Sequence, residues 1–354
     1  MANVRIYGIH SILGLFLGVF ILLISISGAV LVFHDDADGF QKPAISNQSS
    51  TIISVDSCYA SVQTIFPAAQ ISSCEIAVSP LQPFSFFIYD TAFESGTRVQ
   101  EIFLHPATAA IAGSRGGSAD IQNNFMGWLS KFHNSFHLGK TGEWLLGFFA
   151  LIFLLSIVTG IILFGKSILA VLLFKKMAYR KSNLHQLIGV YALVFNLMIA
   201  VTGFWMQRYV FKKDFYQSYN YTPVLKASPP LPFSFDSAYG QIKKQYPDFT
   251  ARVIYFAQSN KSKTAVYGSR RSNAYVHSKK FADVIFLDSA GAVAKTRFIN
   301  EIDAADRYDI INSQLHMGKY GGTGIKIIYF VFGLSGALLS ITGFLIWYRR
   351  RKEQ

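Results

Sequence analysis

Cysteine is nearly absent: Cys58 and Cys74 are the only two in 354 residues. Two thiols cannot supply the four ligands of an ordinary structural zinc site. No Cys-x-x-Cys-His occurs, which excludes covalent c-type haem attachment. Charge is also scarce, at 15% of residues. It is missing altogether from several apolar runs of about 20 residues, the length that carries a helix across the hydrocarbon of a bilayer. The formal net charge of +13 does not point to nucleic acid, because it forms no single basic stripe and accompanies no nucleic-acid motif. Residues 34–143 hold 5 basic and 10 acidic side chains, whereas residues 207–323 hold 17 and 9. The other basic residues crowd beside the apolar runs. No Ala-x-Ala site follows the first run, so it reads as a retained span rather than a cleaved leader.

What remains is a polytopic membrane chain. The expected spans are residues 10–33, 143–164, 184–206 and 324–348. The run 167–174 is too short to cross and reads as an extension of the second helix. Lys166, Lys175, Lys176, Arg180 and Lys181 fill the loop 165–183, Arg349, Arg350, Arg351 and Lys352 fill the tail 349–354, and Arg5 precedes the first span. Positive charge in short loops marks the cytoplasmic side, so both termini are expected there. Trp144, Trp205 and Trp347 lie near span ends, as interfacial aromatics do.

The long segments 34–142 and 207–323 are then external. Each reads as a helix followed by strands: 56–67 and 235–247 have helical spacing closed by a proline, and alternating apolar runs follow. The expected fold is an α-helical membrane protein, a four-helix transmembrane bundle with two external α+β domains. A single disulfide between Cys58 and Cys74 is expected in an oxidising compartment.

Four histidines organise the spans: His10, His133, His185 and His316. The runs that follow them close in Ser27-Gly28, Thr159-Gly160, Thr202-Gly203 and Thr342-Gly343. The separations from histidine to hydroxyl are 17, 26, 17 and 26 residues in chain order, an internal repeat of span, domain and span. Ionisable groups at the edge of hydrocarbon are costly and face the bundle interior with a partner. Topology puts His10 and His185 on the inner side, His133 and His316 on the outer side. Two imidazoles from different helices are the ligand set of a six-coordinate b-type haem suited to electron transfer. Two haems b are therefore expected, one per pair. His137, four residues after His133, is an alternative outer ligand. Lys140 and Lys319 are candidates to neutralise propionates or an anionic substrate. His34 beside Asp35 and Asp36 is a weaker candidate metal site.

The stretches IHSILGLFLGVFILLISISGAVLVF, FHNSFHLGKTGEWLLGFFALIFLLSIVTG and LHMGKYGG…GLSGALLSITGFLIW resemble the PepSY-associated transmembrane family, including its siderophore-iron reductase branch. EIFLHPATAAIAGSR looks like the closing strand pair of a PepSY domain, with Ala109 where the turn usually has glycine. The resemblance implies PepSY-like external domains in the periplasm of a bacterium with the bundle in its inner membrane. It implies haem-assisted reduction of a ferric siderophore or other Fe(III) chelate, releasing Fe(II) for iron uptake. The short cytoplasmic parts carry no Gly-x-Gly-x-x-Gly, so electrons would come from a cytoplasmic partner or a quinol. The competing expectation is a non-catalytic membrane sensor that binds peptides through its external domains.

Overall fold

The structure, a computed structural model, describes residues 2–46, 52–89, 99–117, 120–173, 181–216, 226–258, 262–271 and 278–352. Lys175, Lys176 and Arg180 of the basic loop, His277, and parts of both segments linking spans to external domains lie outside the described residues. In chain order the elements are α1 (Ala2–Leu31), α2 (His34–Gln41), α3 (Val55–Ile65), β1 (Gln70–Glu75), β2 (Phe84–Tyr89), β3 (Val99–Leu104), β4 (Ile111–Gly116), α4 (Phe125–Ser135), α5 (Gly139–Leu172), α6 (Lys181–Tyr191) and α7 (Leu193–Gln207). They continue with α8 (Phe235–Gln245), β5 (Thr250–Tyr255), β6 (Thr264–Ser269), β7 (Asp283–Leu287), β8 (Val293–Arg297), α9 (Ala304–Met317), α10 (Thr323–Gly333) and α11 (Ser335–Lys352). The chain divides into a helical unit (residues 1–34, 129–220 and 312–354) and a sheet unit (35–128 and 221–311).

In the helical unit, Val4–Leu31, Gly139–Leu172 and Thr323–Lys352 are long and apolar enough to cross a membrane, and the bent pair α6–α7 passes the same test as one span. As expected, the run from Ser167 extends the second helix, and α5 continues through it to Leu172 without interruption. Its 34 residues make about 51 Å of helix, well beyond a hydrocarbon core. The third span is not straight: α6 and α7 meet at 64° across Ala192. The fourth has its own one-residue break at Leu334. Just past the two breaks, Asn196 Nδ2 donates to Ser335 Oγ at 3.0 Å, an interhelical bond in an otherwise apolar layer. Small residues let α1 approach this layer. A methyl on Gly333 would stand 3.2 Å from Ala29 Cβ, and one on Gly336 would collide with Ser25 Oγ.

The sheet unit corrects one expectation. The two external segments do not form separate domains: their strands make one eight-stranded antiparallel sheet, in the order β4-β3-β2-β1-β5-β6-β7-β8. The halves meet where β1 pairs β5, with Cys74 opposite Ile254. Apolar residues alternate into one core, where Phe86, Ile102, Ile254 and Ile285 lie wholly buried beneath α3 and α8. Both helices start at a serine that caps its own first turn, Ser54 accepting from Ser57 N and Ser234 from Ser237 N. The helices and strands of each segment stand where the proline stops and the alternation put them, to within a few residues.

Candidate functional site

Each of the four histidines bonds a hydroxyl that belongs to a different apolar run from the one it opens. His10 Nδ1 lies 2.9 Å from Thr159 Oγ1, His133 Nδ1 2.9 Å from Ser27 Oγ, His185 Nδ1 2.9 Å from Thr342 Oγ1, and His316 Nδ1 3.0 Å from Thr202 Oγ1. The contacts are reciprocal. α1 offers His10 to α5 and receives His133 against its own Ser27. The second half does the same with His185, Thr342, His316 and Thr202. Repeat spacing along the chain flagged these hydroxyls, but not the helix they serve.

The hydroxyls favour one tautomer. Thr159 Oγ1 has the Ser156 carbonyl of its own helix 2.9 Å away, and Ser27, Thr202 and Thr342 have those of Ile24, Met198 and Leu338 in the same relation. A hydroxyl that gives its one hydrogen to that carbonyl is left to accept from the imidazole, which favours the proton on Nδ1. At His10 the Ser156 carbonyl, which cannot donate, also lies 3.1 Å from Nδ1. That tautomer leaves the lone pair on Nε2, the arrangement of a histidine that binds a metal while its other nitrogen is tethered.

The glycine after each hydroxyl makes room for the ring. A Cβ built on Gly28 would stand 2.9 Å from His133 Cε1, and one on Gly203 2.9 Å from His316 Cε1. At Gly160 and Gly343 the same test gives 3.4 Å to His10 and His185. The hydroxyl-glycine pair is thus a seat: the hydroxyl takes the ring's proton, and the bare glycine lets the ring lie against the backbone.

The histidines converge on two cavities in the helical unit. His10 and His185 line one of about 380 Å³. Their ring centroids are 6.3 Å apart with planes at 76°. Two imidazoles sharing one metal, each nitrogen ~2 Å from it, place their ring centres roughly 6 Å apart. His133 and His316 line the other, of about 300 Å³. Each pair takes one histidine from each half of the bundle. Ile21, Phe153 and Asn196 touch both cavities and form the wall between them. The donor chemistry and apolar walls of both cavities, and the ring spacing of the inner pair, fit a b-type haem.

Other expected site residues are placed as follows. His137 does not line either cavity; it sits in a left-handed turn at φ 59°, its ring 6.3 Å from that of Phe132. Lys140 does not reach a cavity either, because its ammonium is turned to the Phe215 carbonyl and lies over that ring. Lys319 and His34 line the outer cavity. Among the described residues no three His, Cys, Asp or Glu side chains converge as a metal site, so His34, Asp35 and Asp36 do not make one. The expected Cys58–Cys74 disulfide is not formed. Both residues are free thiols in the sheet unit's core, where they pack as small apolar groups. Burial pushes the Cys58 thiol up to about 12 and that of Cys74 well above its ordinary value. Sequence reasoning missed Arg350 and Tyr7, which line the inner cavity with the guanidinium 4.4 Å over the ring.

This architecture is that of a membrane-embedded helical bundle with an antiparallel sheet unit. The chain belongs to the family described as PepSY-associated TM region, whose match runs over residues 7–350. No curated protein matches the sequence.

Proposed function

We propose that this chain is a bacterial inner-membrane reductase that carries electrons outward and delivers them to a ferric chelate, a ferric siderophore in the first instance, so that Fe(II) is released for uptake. Both termini are cytoplasmic and the sheet unit is periplasmic in this reading. His10 and His185 would hold an inner b-type haem, His133 and His316 an outer one. When bound, such groups would supply one-electron transfer. The protein's own part is to fix the four rings. Hydroxyls hold Nδ1–H, glycines set the rings' depth, and the apolar walls exclude water. Arg350 and Lys319 bring a cation to the inner and outer cavity for propionate or substrate charge. Electrons would enter from a cytoplasmic partner or a quinol. Reduction favours release because Fe(II) is held less tightly than Fe(III) by hard oxygen ligands.

The observation that carries the reading is the facing of His10 and His185, ring centres 6.3 Å apart, with both Nδ1 atoms tied back to neighbouring helices. The test is spectroscopic. Purified protein should show a reducible Soret band and about two haems per chain. His10→Ala or His185→Ala should remove about half of the haem, and His133→Ala or His316→Ala the other half. Dithionite-reduced protein should be reoxidised by a ferric siderophore as Fe(II) appears. Colourless protein from haem-replete cells sinks the haem reading and leaves the peptide-binding sensor. Haem that a ferric chelate does not reoxidise sinks the reductase reading alone.

A further inference from the structure

α9 ends one residue after His316, and a helix end leaves its last carbonyls without partners inside the helix. Lys319 N answers one of them, the Gln314 carbonyl, at 3.2 Å across the left-handed Gly318 at φ 66°. The carbonyl of Leu315, the residue before His316, is answered from the next helix: Tyr329 Oη of α10 donates to it at 2.6 Å. Tyr329 is 4% exposed and lines the outer cavity. Its ring lies against Gly318, where a Cβ would stand 3.0 Å from two of the ring carbons. The same ring is 5.1 Å from that of Phe195 on α7, the helix whose Thr202 seats the His316 imidazole. One side chain thus grips the turn that carries His316 and packs on the helix that receives it.

The other half is built differently. The repeat that carries His133 to His316 and Thr159 to Thr342 carries Leu146 to Tyr329. Leu146 lines the same cavity but has no hydrogen to give. Both outer histidines are seated by a hydroxyl, and the His316 turn is held in addition by a side chain of the cavity wall.

We infer that Tyr329 is a positioning residue of the outer site. It holds the turn that carries His316, so that His316 stays on the iron and a reduced outer haem takes up no outside ligand. Partners that orient a metal ligand without touching the metal set how firmly that ligand is held. A haem with both axial positions filled favours electron transfer over diatomic binding, and an outside ligand enters only when one histidine lets go. Tyr329 slows that release at His316. The inference rests on the haem reading of the two cavities and adds which histidine is guarded, and by what.

Carbon monoxide uptake by the dithionite-reduced full chain in lipid nanodiscs tests it. Tyr329→Phe keeps the ring and loses the donor. About half of the haem, the outer one, should then take up carbon monoxide about fivefold faster than in the wild type, the size of one lost hydrogen bond. The oxidised variant should also shift the low-spin EPR signal of that haem alone, which a general loss of stability would not do. Tyr320 Oη lies 3.2 Å from Tyr329 Oη. Tyr320→Phe leaves the bond to Leu315 in place and should stay within about twofold of the wild type. Gly318→Ala pushes the same ring and should speed uptake too, so it carries the test where Tyr329→Phe fails to assemble. Colourless protein overturns the haem reading and this inference with it. Two-haem protein whose uptake is unchanged by Tyr329→Phe (or by Gly318→Ala in its place), equally faster at both haems, or as fast in Tyr320→Phe overturns this inference alone.

Discussion

Asp56 and Asp236 cap each other's helices. Asp56 accepts from Phe235 N at 2.8 Å and Asp236 N at 3.2 Å at the start of α8, and Asp236 accepts from Val55 N at 3.2 Å and Asp56 N at 3.3 Å at the start of α3. Each carboxylate sits at a helix N-terminus, where negative charge is favoured, but the exchange brings the two together. Burial, then the hydrogen bond with Asp56 and its charge, raises the Asp236 carboxyl above its ordinary 3.8. A carboxyl raised on folding stabilises the fold fully below 3.8, and that contribution is lost as pH climbs through the raised value. Asp236→Asn, which keeps the acceptor and drops the charge, should therefore raise the melting temperature at pH 7 and give no gain below pH 3.8. The effect should stay under about 1 kcal/mol, because water screens the pair. Melting curves across pH decide it; a variant less stable at pH 7 counts against the ionised pair as a cost.

The seats predict a graded response to lost hydroxyls. Ser27→Ala removes the acceptor of His133 Nδ1, and Thr159→Val that of His10. Partners that orient a ligating imidazole are worth about 10- to 100-fold in metal affinity. Here the lower end is expected, about tenfold weaker haem retention, since nearby carbonyls such as Ser156 O for His10 still accept. Thr159→Ser should restore the wild-type value. Haem loss to apomyoglobin measures it, and equal loss rates in Thr159→Val and Thr159→Ser would remove the hydroxyl from the account.

The glycines separate the two pairs. Gly28→Ala and Gly203→Ala put a methyl 2.9 Å from an outer imidazole, so the ring must move. Haem content should fall from two toward one per chain. Gly160→Ala and Gly343→Ala meet their rings at 3.4 Å and should keep nearly full occupancy. Pyridine haemochrome assays on the four variants give the comparison, and a uniform loss across all four would contradict it.

Ala109 occupies the left-handed region at φ 56°, at the same turn where the second half of the sheet uses Gly291 at φ 80°. A Cβ in this conformation costs about 1–2 kcal/mol. Ala109→Gly should therefore stabilise the sheet unit, by about 1 kcal/mol once the glycine's greater chain entropy is offset. Denaturant unfolding checks the sign.

The sequence made some of this legible and hid the rest for physical reasons. Histidines at the edges of apolar runs stand out because hydrocarbon penalises them, so all four were visible, and topology sorted them into the pairs that line the two cavities. Their seats were not. The separation from His10 to Ser27 says nothing about which helix packs beside α1, and the hydroxyl that serves His10 is Thr159. Lys140 looked available beside the second span because a sequence cannot show that its ammonium folds back on Phe215. Periodicity found the strands, yet it could not join them. Pairing of β1 with β5 depends on two edges far apart in the chain, each compatible with an independent sheet.

That β1–β5 seam also bears on how the protein is made. In the proposed topology, when the first half of the sheet unit emerges on the far side of the membrane, the backbone of β1 has no partner on one side, and α5, α6 and α7 must still be synthesised before β5 exists. An open strand edge is a template for pairing with other chains, and contacts this distant in sequence form slowly. The nascent half-protein would thus pass through an aggregation-prone interval whose length is set by translation of the intervening helices. A chaperone that shields strand edges on that side of the membrane would matter most in this window.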